Sequence, residues 1–396
     1  MKITRITAFS RLSQSCKVAA LCLLVTLLWG QSDIRAEPYL AIQEGYKCSK
    51  CHVNMTGGGK RTDFANIYVQ TRLSANFMDW REYLPQAEED EDTEENPMRS
   101  DSNSSFFSGR LNDYIAIGGD FRASYENVHT PNEGDDDGFS RDKYNIYLEV
   151  DLIPERVIFY QTVQGGDADE TLGLLKGELG GEPYYFKFGK FFLPYGLRLQ
   201  DDTAFIRAVT GFTYGATDEG IEFGYEPGPW AMHIATTNGT GGSGDTNLSK
   251  QVTASVAYVD KRFRVGASYN RNKTPEDVEV IIYGINGGAQ FGRLGVLLEA
   301  DIIDVEDPTG DDLEQYVSIL EFNLLISRGH NLKFSYEYHD PDEDIYDNAN
   351  ERYSIVYEPF LYQFVQVRVG ARDNEGIPQD PSLNTSSYFA ELHLFF

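Results

Sequence analysis

From Asn112 to Phe396 apolar and polar positions alternate in runs of about ten residues, each closed by a turn. Tyr144, Ile146, Leu148, Val150 and Leu152 alternate with Asn145, Tyr147, Glu149 and Asp151. Phe263, Val265, Ala267 and Tyr269 alternate with Arg262, Arg264, Gly266 and Ser268. The same holds for Leu332, Phe334, Tyr336 and Tyr338 against Lys333, Ser335, Glu337 and His339, and for Val365, Val367 and Val369 against Gln366, Arg368 and Gly370. A period of two is the signature of β-strands, with one face apolar and the other polar. Turns at Pro154-Glu155, Gly181-Glu182, Gly228-Pro229, Asp260-Lys261, Phe291-Gly292, Arg328-Gly329 and Pro359-Phe360 are short. Between them lie long polar loops near 129–142, 165–170, 192–218, 239–248, 271–276, 305–312, 341–350 and 372–384. A β-sandwich also alternates, but its strands are shorter and need not be apolar on every buried face. The pattern predicts an all-β chain: a transmembrane antiparallel barrel of about 16 strands over 109–396, with an apolar outside and a polar lumen. An even count lets the sheet close without an exposed edge.

Composition agrees and narrows the function classes. The chain of 396 residues carries 34 basic and 62 acidic side chains, a net charge of −28, which opposes binding to nucleic-acid phosphates. With 25 Tyr and 24 Phe it is too aromatic for a disordered acidic protein. A mean hydropathy of −0.41 excludes a bundle of transmembrane helices. Much of the acid lies in one run, Glu88 to Glu95, and in outer loops such as Glu133 to Asp137 and Asp340 to Asp344. The run, with the Ser-rich stretch after Asn96-Pro97, reads as an extended linker over 87–108, or alternatively as a docking site for a basic partner.

Residues 1–36 read as a secretory signal peptide, with Lys2, Arg5, Arg11 and Lys17 ahead of an apolar core from Val18 to Trp29. That core falls short of the roughly twenty residues a spanning helix needs. Cleavage near Glu37 would leave 29 basic against 61 acidic residues, about −32, and would remove Cys16 and Cys22. The two cysteines left form Cys48-Ser49-Lys50-Cys51-His52. A CxxCH run in an exported chain points to one covalently attached c-type haem: Cys48 and Cys51 bond the vinyl groups and His52 is the proximal iron ligand. A zinc site would want a second Cys/His pair, a thioredoxin-like dithiol a βαβ context, and a plain disulfide is the remaining alternative. Residues 37–86 are therefore read as a small helical, cytochrome c-like segment on the periplasmic side, short enough to lean on the rest of the chain or on a partner. Met78 and Met98 are weak local candidates for the distal ligand, and His129, His233, His330 and His339 remote ones.

The last strand, with Tyr388, Ala390, Leu392, Leu394 and the terminal Phe396, resembles the closing strand of bacterial outer-membrane barrels. The loop Phe192 to Asp218 is too apolar for a free loop, carrying Phe192, Leu193, Leu197, Leu199, Phe205, Ile206, Val209 and Phe212. Its Gly189-Lys190-Phe-Phe-Leu-Pro194-Tyr-Gly196-Leu-Arg198, followed by Asp201, Asp202 and Arg207, resembles the oligomeric porins often labelled phosphate-selective. That resemblance implies an inward-folded third loop with Arg198, Asp201, Asp202 and Arg207 at a constriction, and a homotrimer in the outer membrane; an inert plug is the alternative. The acid excess keeps the phosphate label from being carried over. The expectation is a porin-like outer-membrane protein with one periplasmic haem c, active in electron transfer or redox-linked transport. A periplasmic or multihaem cytochrome is its expected partner, and ions or small solutes its expected cargo. The alternative is a passive diffusion porin whose haem is structural or a redox sensor. No catalytic residues are assigned, since no His/carboxylate metal cluster or activated Ser or Cys stands outside the motif.

Overall fold

A computed structural model describes residues 37–76, 106–131, 134–164, 170–242, 244–245, 247–377 and 380–396. The signal peptide over 1–36, linker residues 87–105, Met78 and Met98 lie outside the described residues. Sixteen strands close into one antiparallel barrel. They are β1 (Ile115–Thr130), β2 (Gly134–Ile153), β3 (Val157–Gln164), β4 (Thr171–Leu179), β5 (Glu182–Phe192), β6 (Thr217–Tyr225), β7 (Trp230–Thr237) and β8 (Gln251–Val259). The second half runs β9 (Phe263–Lys273), β10 (Glu279–Phe291), β11 (Leu294–Glu306), β12 (Leu313–Ser327), β13 (His330–Asp340), β14 (Asn350–Tyr362), β15 (Val365–Glu375) and β16 (Thr385–Phe395). Each strand pairs with its neighbours in sequence, and β1 closes on β16 from Asp120↔Phe395 to His129↔Ser386. Closure gives every strand a neighbour on both sides within the wall, while the outer half of β2, before Ile146, pairs with β1 alone.

Two connections differ from the sequence reading. The stretch 129–142 is a continuation of the β1–β2 hairpin, paired out to Thr130↔Gly134. Asp135, Asp136 and Asp137 have poor strand propensity, but the partner strand overrides it: the Tyr125 ring packs at a tilt on Phe139 and its hydroxyl donates to Asp137 Oδ2 at 2.9 Å. The strand through Pro359 also runs on, to Tyr362, and reverses after it, where Phe364 takes a φ of +64°.

The two faces follow the alternation. Ile146, Leu152, Phe186, Phe188, Ile221, Val265 and Val369 point outward and are exposed, as a lipid-facing wall requires. The opposite positions, among them Glu149, Lys187, Glu222, Glu299, Glu337 and Arg368, are buried. Lumen-facing charges become buried only when something fills the lumen. Here two pieces do: the N-terminal segment and the loop between β5 and β6. The segment comprises α1 (Pro38–Glu44), α2 (Cys48–Cys51) and α3 (Asp63–Tyr68), the last continuing into a π turn at Val69–Leu73. The loop carries the short helix α4 (Phe205–Ala208). Both sit on an inward apolar patch of Ile282, Leu297, Ile303, Val317 and Ile319, which packs with Leu40, Ile42, Leu193, Leu197, Ile206 and Phe212. Burying such side chains is worth about 1.5–3 kcal/mol each.

Candidate functional site

The cysteine motif forms a single helical turn. Cys48 and Cys51, three apart, share one face of α2, and His52 leaves it in an extended conformation with its N–H bonded to Cys48 O at 3.0 Å. The chain then doubles back: His52 bridges Arg61, Val53 N–H donates to Lys60 O and Thr62 N–H to Cys51 O. At the tip, Gly57, Gly58 and Gly59 hold φ values of +98°, +84° and +65°. A side chain at Gly59 would place its Cβ 2.5 Å from the Tyr160 hydroxyl, and one at Gly58 2.9 Å from the Tyr214 ring. The glycines thus serve both the left-handed backbone and its close approach to wall and loop.

The segment is fastened to the lumen wall along its length. Glu37 pairs with Lys333 at 2.8 Å, Ser49 Oγ donates to Glu226 Oε2 at 2.7 Å and Lys47 Nζ to Glu226 O at 2.8 Å. Asn54 Nδ2 donates to Glu170 Oε1 at 2.5 Å, and Lys187 Nζ, paired with Glu222, donates to Asn54 Oδ1 at 2.9 Å. Lys60 pairs with Glu149 at 3.1 Å, and Arg328 donates to the carbonyls of Thr71 and Ser74. Residues 37–76 thus pack against the inner face of the barrel. Some forty residues cannot build an adequate core alone, and the apolar patch on the wall supplies the missing side.

Between segment, loop and wall lies a cavity. Cys48, Cys51 and His52 line it from α2, Arg198 and Tyr214 from the loop, and His393 from β16. Four guanidinium groups, Arg61, Arg122, Arg198 and Arg264, face it, while Leu40, Tyr68, Leu73, Phe360 and Phe395 give it apolar walls. Cys48 and Cys51 are free thiols. Burial, with Cys48 adding to it, pushes the Cys51 thiol up to about 12, the reverse of an activated redox dithiol. Burial and then the charge of Arg61 push the His52 ring down to about 3, so it is neutral with a lone pair to offer. Its Nδ1 is buried without a partner, as are Arg198 Nε and Arg264 Nε. Among the described residues no group of three or more His, Cys, Asp or Glu is placed to hold a bare metal ion. Two free thiols, a neutral imidazole, cationic groups and apolar walls around one cavity are the donor set that a covalently bound haem uses. The residues fit that group.

Of the remote distal candidates, none lines the cavity. His129 pairs with Asp135 on the exposed β1–β2 hairpin, His233 contacts Glu226 and Ser255, His330 stacks on Tyr357 and His339 contacts Gln315. His393 does line it, and the sequence reading passed over it. The available signal was parity: His393 shares the inward face of β16 with Glu391 and Ser387.

The loop candidates are drawn to the wall. Arg207 is fully buried on Glu299 at 2.7 Å, and Asp201 pairs with Arg372 at 2.6 Å. Asp202 accepts from Tyr214 N–H at 2.9 Å, and Arg198 donates to the carbonyls of Leu193 and Phe212 beside the cavity. Arg198 joins the motif residues; the other three fix the loop. The loop itself is stiffened by the Tyr195–Phe212 stack, with centroids 4.2 Å apart.

No family model matches the chain, and no curated protein matches it by sequence. Solved structures do match in shape. OmpT of Vibrio cholerae aligns with a TM-score of 0.55 at 12% identity, over 71% of this chain and 97% of that one. The anion-selective porin from Comamonas acidovorans aligns at 0.54 and 11% identity, over 71% and 99%. The outer-membrane channel DcaP of Acinetobacter baumannii aligns at 0.50 and 10% identity, over 71% and 97%. At these identities the likeness concerns the backbone, and the chain has the fold of a porin.

Proposed function

We propose that this chain is an outer-membrane barrel that carries one c-type haem in its lumen and serves electron transfer across that membrane. The observation that carries the proposal is the cavity: both thiols and the imidazole of one CxxCH motif line a single space within the barrel wall. Cys48 and Cys51 would hold the haem covalently and His52 would ligate its iron. Arg61, Arg122, Arg198 and Arg264 are cationic partners for its carboxylates, and Leu40, Leu73, Phe360 and Phe395 exclude water. When bound, such a group supplies a site for reversible one-electron exchange. A single site does not by itself carry electrons across a hydrocarbon core of about 30 Å, so the reading calls for a partner. A periplasmic or multihaem cytochrome is the partner that this arrangement invites at the short-turn face.

A haem stain of the denatured protein tests the proposal. One haem per chain is expected, lost in the Cys48→Ser, Cys51→Ser double variant; an unstained wild type would refute it. The porin fold favours a second reading, a passive channel like the anion-selective porin it resembles in shape. The burial of the lumen-facing charges weighs against that reading. Planar-bilayer recordings separate them: sustained conductance typical of open 16-stranded barrels would restore the passive channel.

A further inference from the structure

His393 stands where a second ligand to the same iron would be needed. It lies three residues from the C-terminus on β16, between Arg122 of β1 and Gln366 of β15 in the ladder, and faces the lumen. It is 3% exposed, and the small surface it keeps borders the cavity that His52 also lines. Apart from His52, no other histidine and no methionine among the described residues lines that space. The ring is oriented by its surroundings. Nδ1 lies 2.9 Å from Gln366 Oε1 and 3.3 Å from Gln200 Nε2. Gln200 Nε2, 3.3 Å from Gln366 Oε1, donates to the same oxygen and braces the amide from the loop. Nε2 is buried as well, 3.3 Å from Asp120 Oδ1. Asp120 Oδ1 also accepts from Arg122 Nε at 3.2 Å, so the carboxylate is shared between the two. A histidine held in orientation by amide and carboxylate neighbours is braced as metal-ligating histidines are, and ligation would draw on the nitrogen that faces Asp120.

We infer that His393 is the second axial ligand of the haem iron, so that the strand that closes the barrel also closes the coordination sphere. The inference rests on the haem reading above. Gln366 is its positioning residue.

The test uses the full-length protein, matured with haem c and purified in detergent, as wild type and as His393→Ala, His393→Met and, as a control on the outer hairpin, His129→Ala. Covalent haem content is measured separately from spin state, because attachment depends on the cysteines. The expected wild type and control are low-spin in ferric optical and paramagnetic resonance spectra. His393→Ala should keep one haem per chain, turn high-spin, bind carbon monoxide stoichiometrically when reduced, and return to low-spin with added imidazole. His393→Met should stay low-spin with a raised reduction potential, as a thioether ligand gives. A structural role for His393 would not produce the imidazole rescue. A low-spin His393→Ala, or a high-spin wild type, overturns the inference and leaves the haem reading standing. A wild type without covalent haem overturns both. Where the alanine variant fails to fold, His393→Gln, close in volume and no strong iron ligand, carries the same spin-state comparison.

Discussion

At the scale of single residues the lumen is organised by charges that have exchanged water for one another. Lys187 and Glu222 are the sharpest instance: both side chains are wholly buried, 2.8 Å apart, and Lys187 also holds Asn54 of the inserted segment. A buried pair adds little relative to an apolar substitute, but breaking it strands a charge. Lys187→Met should therefore cost about 3–5 kcal/mol, and Lys187→Met with Glu222→Leu should recover most of it. Urea unfolding in lipid vesicles checks both, and equal losses in the single and double variants would contradict the account. Residue polarity of this kind was legible in the sequence, since parity along each strand placed Glu149, Lys333 and Arg368 inward. The role of His393 was not. His52 and His393 are about 340 residues apart, and only closure of β1 on β16 brings the last strand to the first. No local pattern encodes that meeting.

At the scale of elements, the loop between β5 and β6 behaves as a part of the wall. Arg207 on Glu299, Asp201 on Arg372 and the Phe205 N–H on Glu337 hold it at three strands. Its apolar content announced that it folds inward; which of its charges face water could not be read, because that depends on partners on β11, β13 and β15. Arg207→Met leaves Glu299 buried beside Asp301 without its guanidinium, and the loop should loosen. Bilayer recordings should then show frequent open events in the variant that are rare in wild type, and a trace as quiet as wild type would mean that Asp201 and the apolar contacts suffice. Acid acts on Asp201 with a definite sign. Burial alone would raise its carboxyl, but Arg372, then Arg352 and Arg368, hold it well below the usual carboxylate range. The pair's contribution is present above the unfolded value, ordinarily near 3.8, and is lost only as pH falls through the depressed folded value. Protease cleavage within 193–216 should accordingly be unchanged from pH 7 down to about 4. Accelerated cleavage near pH 5 would place the anchor elsewhere.

At the scale of the whole molecule, strand number, closure and wall polarity follow from alternation and turn spacing, whereas the position of the first forty described residues does not. The clue lay in the wall: Ile282, Leu297, Ile303, Val317 and Ile319 occupy inward positions where a water-filled bore would have polar side chains. A lumen with an apolar patch needs a cover, and a short segment without a core of its own needs a patch. Their union also resolves a conflict of purpose. A 16-stranded barrel is wide enough to leak, and a site for electron exchange needs a dry cavity. Under the proposed function one inserted segment would answer both, since the residues that hold Cys48, Cys51 and His52 in place are those that fill the bore. Deleting residues 37–76 should then separate the two properties. The ladder pairings of β1 to β16 use none of these residues, so the variant should still assemble and shift mobility on heating. It should lack covalent haem and, with only the loop left in the lumen, conduct several-fold more than wild type in planar bilayers. Equal conductance would assign the seal to the loop alone and reduce the segment to a cofactor carrier. Failure to assemble would make the inserted segment a folding scaffold for the wall, a stronger dependence than the strand pairings require.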